Sequence, residues 1–82
     1  MDRWKSTIDG GFAISRSTNL PGAAMAMKPY LAEGKRTYLR HMTTGHVVTF
    51  RGLPPETIAH NQAGDPIAMP DWAEKAKRVL GH

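Results

Sequence analysis

Cysteine is absent from all 82 residues, which excludes disulfides and thiolate metal sites as reinforcement of the fold. Long apolar runs are absent as well. The most apolar stretch, Leu20 to Ala32, is interrupted by Pro21, Gly22, Lys28 and Pro29, far short of the roughly 20 apolar residues that span a bilayer. Met1-Asp-Arg-Trp-Lys-Ser6 is polar and lacks the apolar centre of a signal peptide, so the cytoplasm is the expected location and no membrane partner is expected. Acidic residues are in the minority, seven against eleven Lys and Arg, and the resulting formal charge of +4 favours anionic partners through long-range attraction.

The signatures of common reaction types are missing too. No Gly-x-Ser-x-Gly elbow surrounds Ser6, Ser15 or Ser17, which fall in strand or cap positions. Gly10-Gly11 and Pro21-Gly22 lack the spacing and lysine of a phosphate-binding loop and read as turns. Asp9 and Asp65 belong to turns, Asp71 and Glu74 to a helix start, and Asp2, Glu33 and Glu56 are scattered, so no paired carboxylates are expected. A domain this small buries only about 60% of its unfolded surface and leaves little room for an enclosed substrate cavity. These absences point away from an enzyme and require no cofactor.

What is present is a ribbon, Arg36 to Arg51, with alternating character on both sides of Thr44-Gly45. A two-residue turn there pairs Met42 with Val47, Arg40 with Thr49 and Leu39 with Phe50. Thr44 is a poor first residue for such a turn, so a bulged or longer loop is the alternative. Alternation sends Leu39, Val48, Phe50 and His41 to one face, suited to a core. It sends Arg36, Tyr38, Arg40, Met42, Val47, Thr49 and Arg51 to the other, a basic face with one aromatic ring and two apolar contacts. A one-residue slip of either strand would exchange its two faces.

Around this ribbon the chain reads as one small α+β domain, residues 1–82. Trp4 to Ile8 and Phe12 to Arg16 flank Asp9-Gly10-Gly11 as a first hairpin, in which a three-residue loop sets Ile8 opposite Phe12 and Ser6 opposite Ile14. Gly22 to Ala32 reads as a helix or helix pair kinked near Lys28, because Pro29 removes a hydrogen bond to the Met25 carbonyl. Gly34 ends it. Gly52 to Pro55 predicts an extended exit, Glu56 to His60 one helical turn opened by Pro55, and Ile67 to Met69 an extended segment or edge strand. Asp71 to Leu80 predicts a helix capped by Asp71 and Glu74, with an apolar stripe of Trp72, Ala76, Val79 and Leu80. The expected order is ββαββα, with a short helical turn before the last helix: two hairpins in a small antiparallel sheet and helices packed on one face.

Three functional classes compete for these residues. Arginine, tyrosine, methionine and valine side by side suit a protein interface, and the leading expectation is a non-enzymatic module occupying a surface of a larger protein or nucleoprotein assembly. In size and class it is comparable with accessory subunits and with small phage-encoded inhibitors such as anti-CRISPR proteins. The same cations around Tyr38, extended by Lys75, Lys77 and Arg78, suit phosphates and a stacked base, the second expectation. Set against both, an arginine stem laid over a tyrosine ring is common on solvated strands, and charges at a helix C-terminus suit its dipole. Third, His41 and His46 lie one diagonal step apart on the ribbon and could share a metal ion. They lack a nearby carboxylate or thiol, and half-buried or turn histidines satisfied by backbone groups are the simpler account. His60 and Asp65 are too far apart along the chain to form a dyad, and His82 is expected to be solvated at the chain end.

Overall fold

Leu39, Val48 and Phe50 are fully buried while Arg40 and Arg51 are exposed, so the ribbon has the expected parity. Its pairing is nevertheless shifted by two residues. Tyr38 faces Thr49, Leu39 faces Val48 and Arg40 faces Val47. A four-residue loop, 42–45, replaces the two-residue turn, and because the shift is even each side chain keeps its face. Thr44 is the reason: its hydroxyl accepts the His46 backbone N–H at 3.2 Å and meets His41 Nδ1 at 2.8 Å. Gly45, at φ +76°, then returns its N–H to the His41 carbonyl.

The computed structural model describes residues 2–81; the expectation for His82 lies outside them. The elements are β1 (Trp4–Ile8), β2 (Phe12–Ala13), α1 (Leu20–Ala32), β3 (Thr37–His41), β4 (Val47–Arg51), β5 (Glu56–His60) and α2 (Asp71–Leu80). All strands join one antiparallel sheet in the order β2-β1-β3-β4-β5. The α+β class therefore holds, and the ββαββα order is corrected by a fifth strand.

That strand, Glu56 to His60, replaces the predicted helical turn. Gly52 to Pro55 makes a turn rather than an extended exit, and a turn returns the chain beside β4, where Thr57 pairs with Phe50 and Ala59 with Val48. Sheet hydrogen bonding on the open edge of β4 outweighs a weak local preference. The first hairpin keeps the expected Ile8–Phe12 register and three-residue loop. Its second strand stops after Ala13, however, because Ser15 rather than a backbone carbonyl takes the Ser6 N–H, at 3.1 Å. Phe12 is 69% exposed instead of facing the core.

α1 is one continuous helix rather than a pair. Asn19 caps it through the Gly22 N–H at 2.8 Å, and Gly34 ends it with its N–H on the Leu31 carbonyl while Lys35 reaches back to Tyr30. Pro29 lies inside it on the exposed side, as does Met25, whose carbonyl loses the hydrogen bond that Pro29 cannot donate. α2 starts one residue earlier than the predicted cap: Pro70 is the N-cap and makes no side-chain cap bond, leaving Asp71 in the first turn. The extended stretch after β5 pairs only locally, Ile67 N–H to the Ala59 carbonyl.

Both helices cover the same side of the sheet. Leu20, Ala23, Ala24, Met27 and Leu31 of α1 and Ala73, Ala76 and Leu80 of α2 close over Leu39, Val48, Phe50 and Ala59 in one core. No helix among the described residues is long and apolar enough to cross a membrane.

Candidate functional site

The uncovered side of the sheet is where the ribbon's basic face points. β3 places Tyr38 and Arg40 there, and β4 places Val47, Thr49 and Arg51. Five of the seven residues expected to form a binding face are thus brought together on strands, and Arg36, just before β3, lies beside Tyr38 and Arg51. Met42 stands apart in the hairpin loop, exposed beside Lys5.

The sheet adds residues that local reasoning missed. Because β1 joins β3, Lys5 lies opposite Arg40 and Thr7 opposite Tyr38. Because β5 joins β4, Ile58 lies opposite Thr49, His60 opposite Val47 and Glu56 opposite Arg51. Ile58 is 66% exposed in the middle of its strand. The alternation Thr57-Ile58-Ala59 is the local signal for this strand, and it competes with Pro55, a favourable first residue of a helix. The alternation of Trp4 to Ile8 already sends Lys5 and Thr7 to a common face, but nothing local tells which strand lies next to it.

Tyr38 sits at the centre of the face, with a shallow depression of about 490 Å³ on each side. One is bounded by Arg36, Thr49, Arg51, Ile58 and His60, the other by Lys5, Thr7, Arg40, Val47 and the Gly10-Gly11 turn. The Tyr38 hydroxyl donates to the Asp9 carboxylate. The neighbouring Tyr38 first, and then Asp9, hold Arg36 above its ordinary proton affinity. Asp9 is thereby engaged by Tyr38. Lys5, Arg40 and Arg51 have no ion pair or hydrogen bond to a side chain among the described residues. The face combines uncompensated cations, one fixed ring and exposed aliphatic groups, which suits recognition of an acidic surface carrying apolar side chains.

The remaining expected sites lie elsewhere. Lys75, Lys77 and Arg78 are on α2, over the opposite side of the sheet, where Lys77 stands 4.0 Å from Glu74. They do not extend the basic face. His41 is buried on the helix side, its ring 4.9 Å from that of Trp4 and 5.9 Å from that of Trp72. Its Nδ1 meets Thr44, and its Nε2 lies 3.2 Å from the Asp2 carboxylate without the alignment of a hydrogen bond. His41 and His46 gain no third ligand: among the described residues no three metal-ligating side chains converge. No family model matches the chain, and no curated protein or solved structure matches it significantly.

Proposed function

We propose that this chain is a non-enzymatic binding module that sets the open face of its sheet against an acidic surface of a larger protein or nucleoprotein assembly, in the manner of an accessory subunit or a small inhibitor. One observation carries the reading. Both helices pack on one side of the sheet, so Tyr38, Arg40, Arg51 and Lys5 stand uncovered together with Val47 and Ile58. A stable sheet needs only one buried face; the residues on the other are free to serve recognition. Arginine and tyrosine are the side chains most often found at interface hot spots, and the exposed Ile58 supplies apolar contact that a phosphate backbone has no use for. The cytoplasm suits this reading, since a cysteine-free chain has nothing to lose in a reducing compartment.

The competing reading is direct binding of nucleic acid by the same face, favoured by the cations around Tyr38 and weakened by Asp9 and Glu56 beside them. A comparison of capture by the wild type and by the Tyr38→Ala, Arg40→Ala double variant tests both. The expected result is a protein partner retained by the wild type and lost by the variant, which keeps the folded far-UV spectrum and cooperative unfolding because neither side chain belongs to the core. Equal capture by the two would overturn the reading. So would micromolar binding of mixed-sequence DNA or RNA that weakens steeply with salt.

A further inference from the structure

The cations on the open face are not equivalent. At the Arg36–Arg51 end two carboxylates lie near the cations: Asp9 bonds to Tyr38 beside Arg36, and Glu56 stands opposite Arg51 on β5, although neither makes an ion pair among the described residues. At the other end Lys5 and Arg40 are directly opposite on neighbouring strands, with side-chain roots roughly 5 Å apart. Like charges in that relation repel each other. The nearest turn carboxylate, Asp9, is engaged elsewhere, and neither cation has an acidic partner among the described residues. Such a pair works against the fold unless an anion is seated between its members.

The surroundings define which anion. The depression between Lys5 and Arg40 is walled by Thr7, Tyr38 and Val47. Met42 borders Lys5 on its other side and is exposed. The Gly11 N–H, which could have helped to cradle a phosphate, is already bonded to the Ile8 carbonyl at 3.0 Å. A guanidinium and an ammonium with aliphatic walls fit a planar carboxylate whose neighbours in its own chain are apolar.

Resting on the open-face reading above, we infer that Lys5 and Arg40 are the anchor of the docking face and seat a carboxylate from an acidic, apolar-flanked segment of a partner protein, with its apolar neighbours on Val47 and Met42. The anchor lies at the β1 side of Tyr38, and the Arg36–Arg51 end contributes less.

Amide chemical shifts of the isotope-labelled full chain test this during titration with a synthetic peptide of repeated Glu-Glu-Leu-Leu. Its Gln-Gln-Leu-Leu counterpart, inorganic phosphate and an oligothymidylate serve as comparison probes. The expected result is saturable movement centred on Lys5, Thr7, Arg40 and Val47 with the glutamate peptide, weakened about tenfold or more, the equivalent of 1.4 kcal/mol, by Lys5→Gln or by the glutamine peptide. Arg51→Gln is expected to weaken it less than threefold. Lys5→Gln is also expected to keep or raise the thermal midpoint, because it relieves a repulsion, so a loss of binding is not a loss of fold. Movement confined to Arg36, Thr49, Arg51, Ile58 and His60 would overturn the anchor while leaving the open face as the docking surface. Movement on the helices, or none, would overturn both, and stronger saturable movement of the same amides with phosphate or oligothymidylate would replace the carboxylate by a phosphate ligand.

Discussion

Thr37 occupies a position where an apolar residue would serve better. It is fully buried opposite Phe50, and its hydroxyl has no hydrogen-bond partner. An unpaired buried hydroxyl costs on the order of 1–3 kcal/mol, and valine has nearly the same shape without that group. Thr37→Val is therefore expected to raise stability by about 1 kcal/mol, read as a higher urea midpoint with an unchanged slope; a lower midpoint would mean that the hydroxyl is satisfied. Ser6 shows the opposite solution in the same layer, where its buried hydroxyl and that of Ser15 lie 2.7 Å apart and bond to each other. His41 follows that rule only in part: its Nδ1 meets Thr44, while its buried Nε2 has no aligned hydrogen-bond partner and its ring packs beside two tryptophans.

The elements differ in how far local chemistry specifies them. α1 begins at an asparagine cap and ends at a left-handed glycine, both visible in the chain, yet it runs through Pro29 because its buried stripe of Ala23, Met27 and Leu31 holds it onto the sheet. Helix interiors lose roughly 3 kcal/mol to a proline. Pro29 is on the exposed side, so replacing it disturbs no packing, and Pro29→Ala is expected to stabilise the domain by about 1–3 kcal/mol. Calorimetry checks this, and no rise in the midpoint would mean that the helix bends at Pro29 at little cost. β5 is the reverse case. Glu56 to His60 has no strong preference of its own and becomes a strand because the turn at Gly52 delivers it to an open sheet edge.

At the scale of the molecule, the one-sided placement of the helices is the property from which the functional reading follows. Consecutive residues of β5 test it: Ile58 points to the uncovered face and is 66% exposed, whereas Ala59 points into the core and is 4% exposed. Ile58→Glu is expected to change stability by no more than about 1 kcal/mol, while Ala59→Glu buries a charge in packed surroundings and is expected to cost about 3 kcal/mol or more. Denaturant unfolding of the two variants gives the comparison. Equal large losses would show that the second face of the sheet is also covered.

The central ribbon was legible because side-chain parity is a local property: Leu39, Val48 and Phe50 alternate with Tyr38, Arg40 and Thr49 whatever the loop length, provided that it changes by an even number. The two helices were legible from caps, glycines and apolar spacing. Two features depended on the third dimension. Strand neighbours are chosen by which free edges meet, so Lys5 and Ile58 came to flank Tyr38 from distant parts of the chain and Lys75, Lys77 and Arg78 went to the other side. Charge compensation depends on those same neighbours, which is why Asp9, a turn residue in the sequence, bonds to Tyr38 on the Arg36 side of the face and leaves Lys5 and Arg40 without a counter-charge. Alternation acts between adjacent residues and can be read in the chain, whereas edge pairing and electrostatic balance are set by residues that only folding brings together.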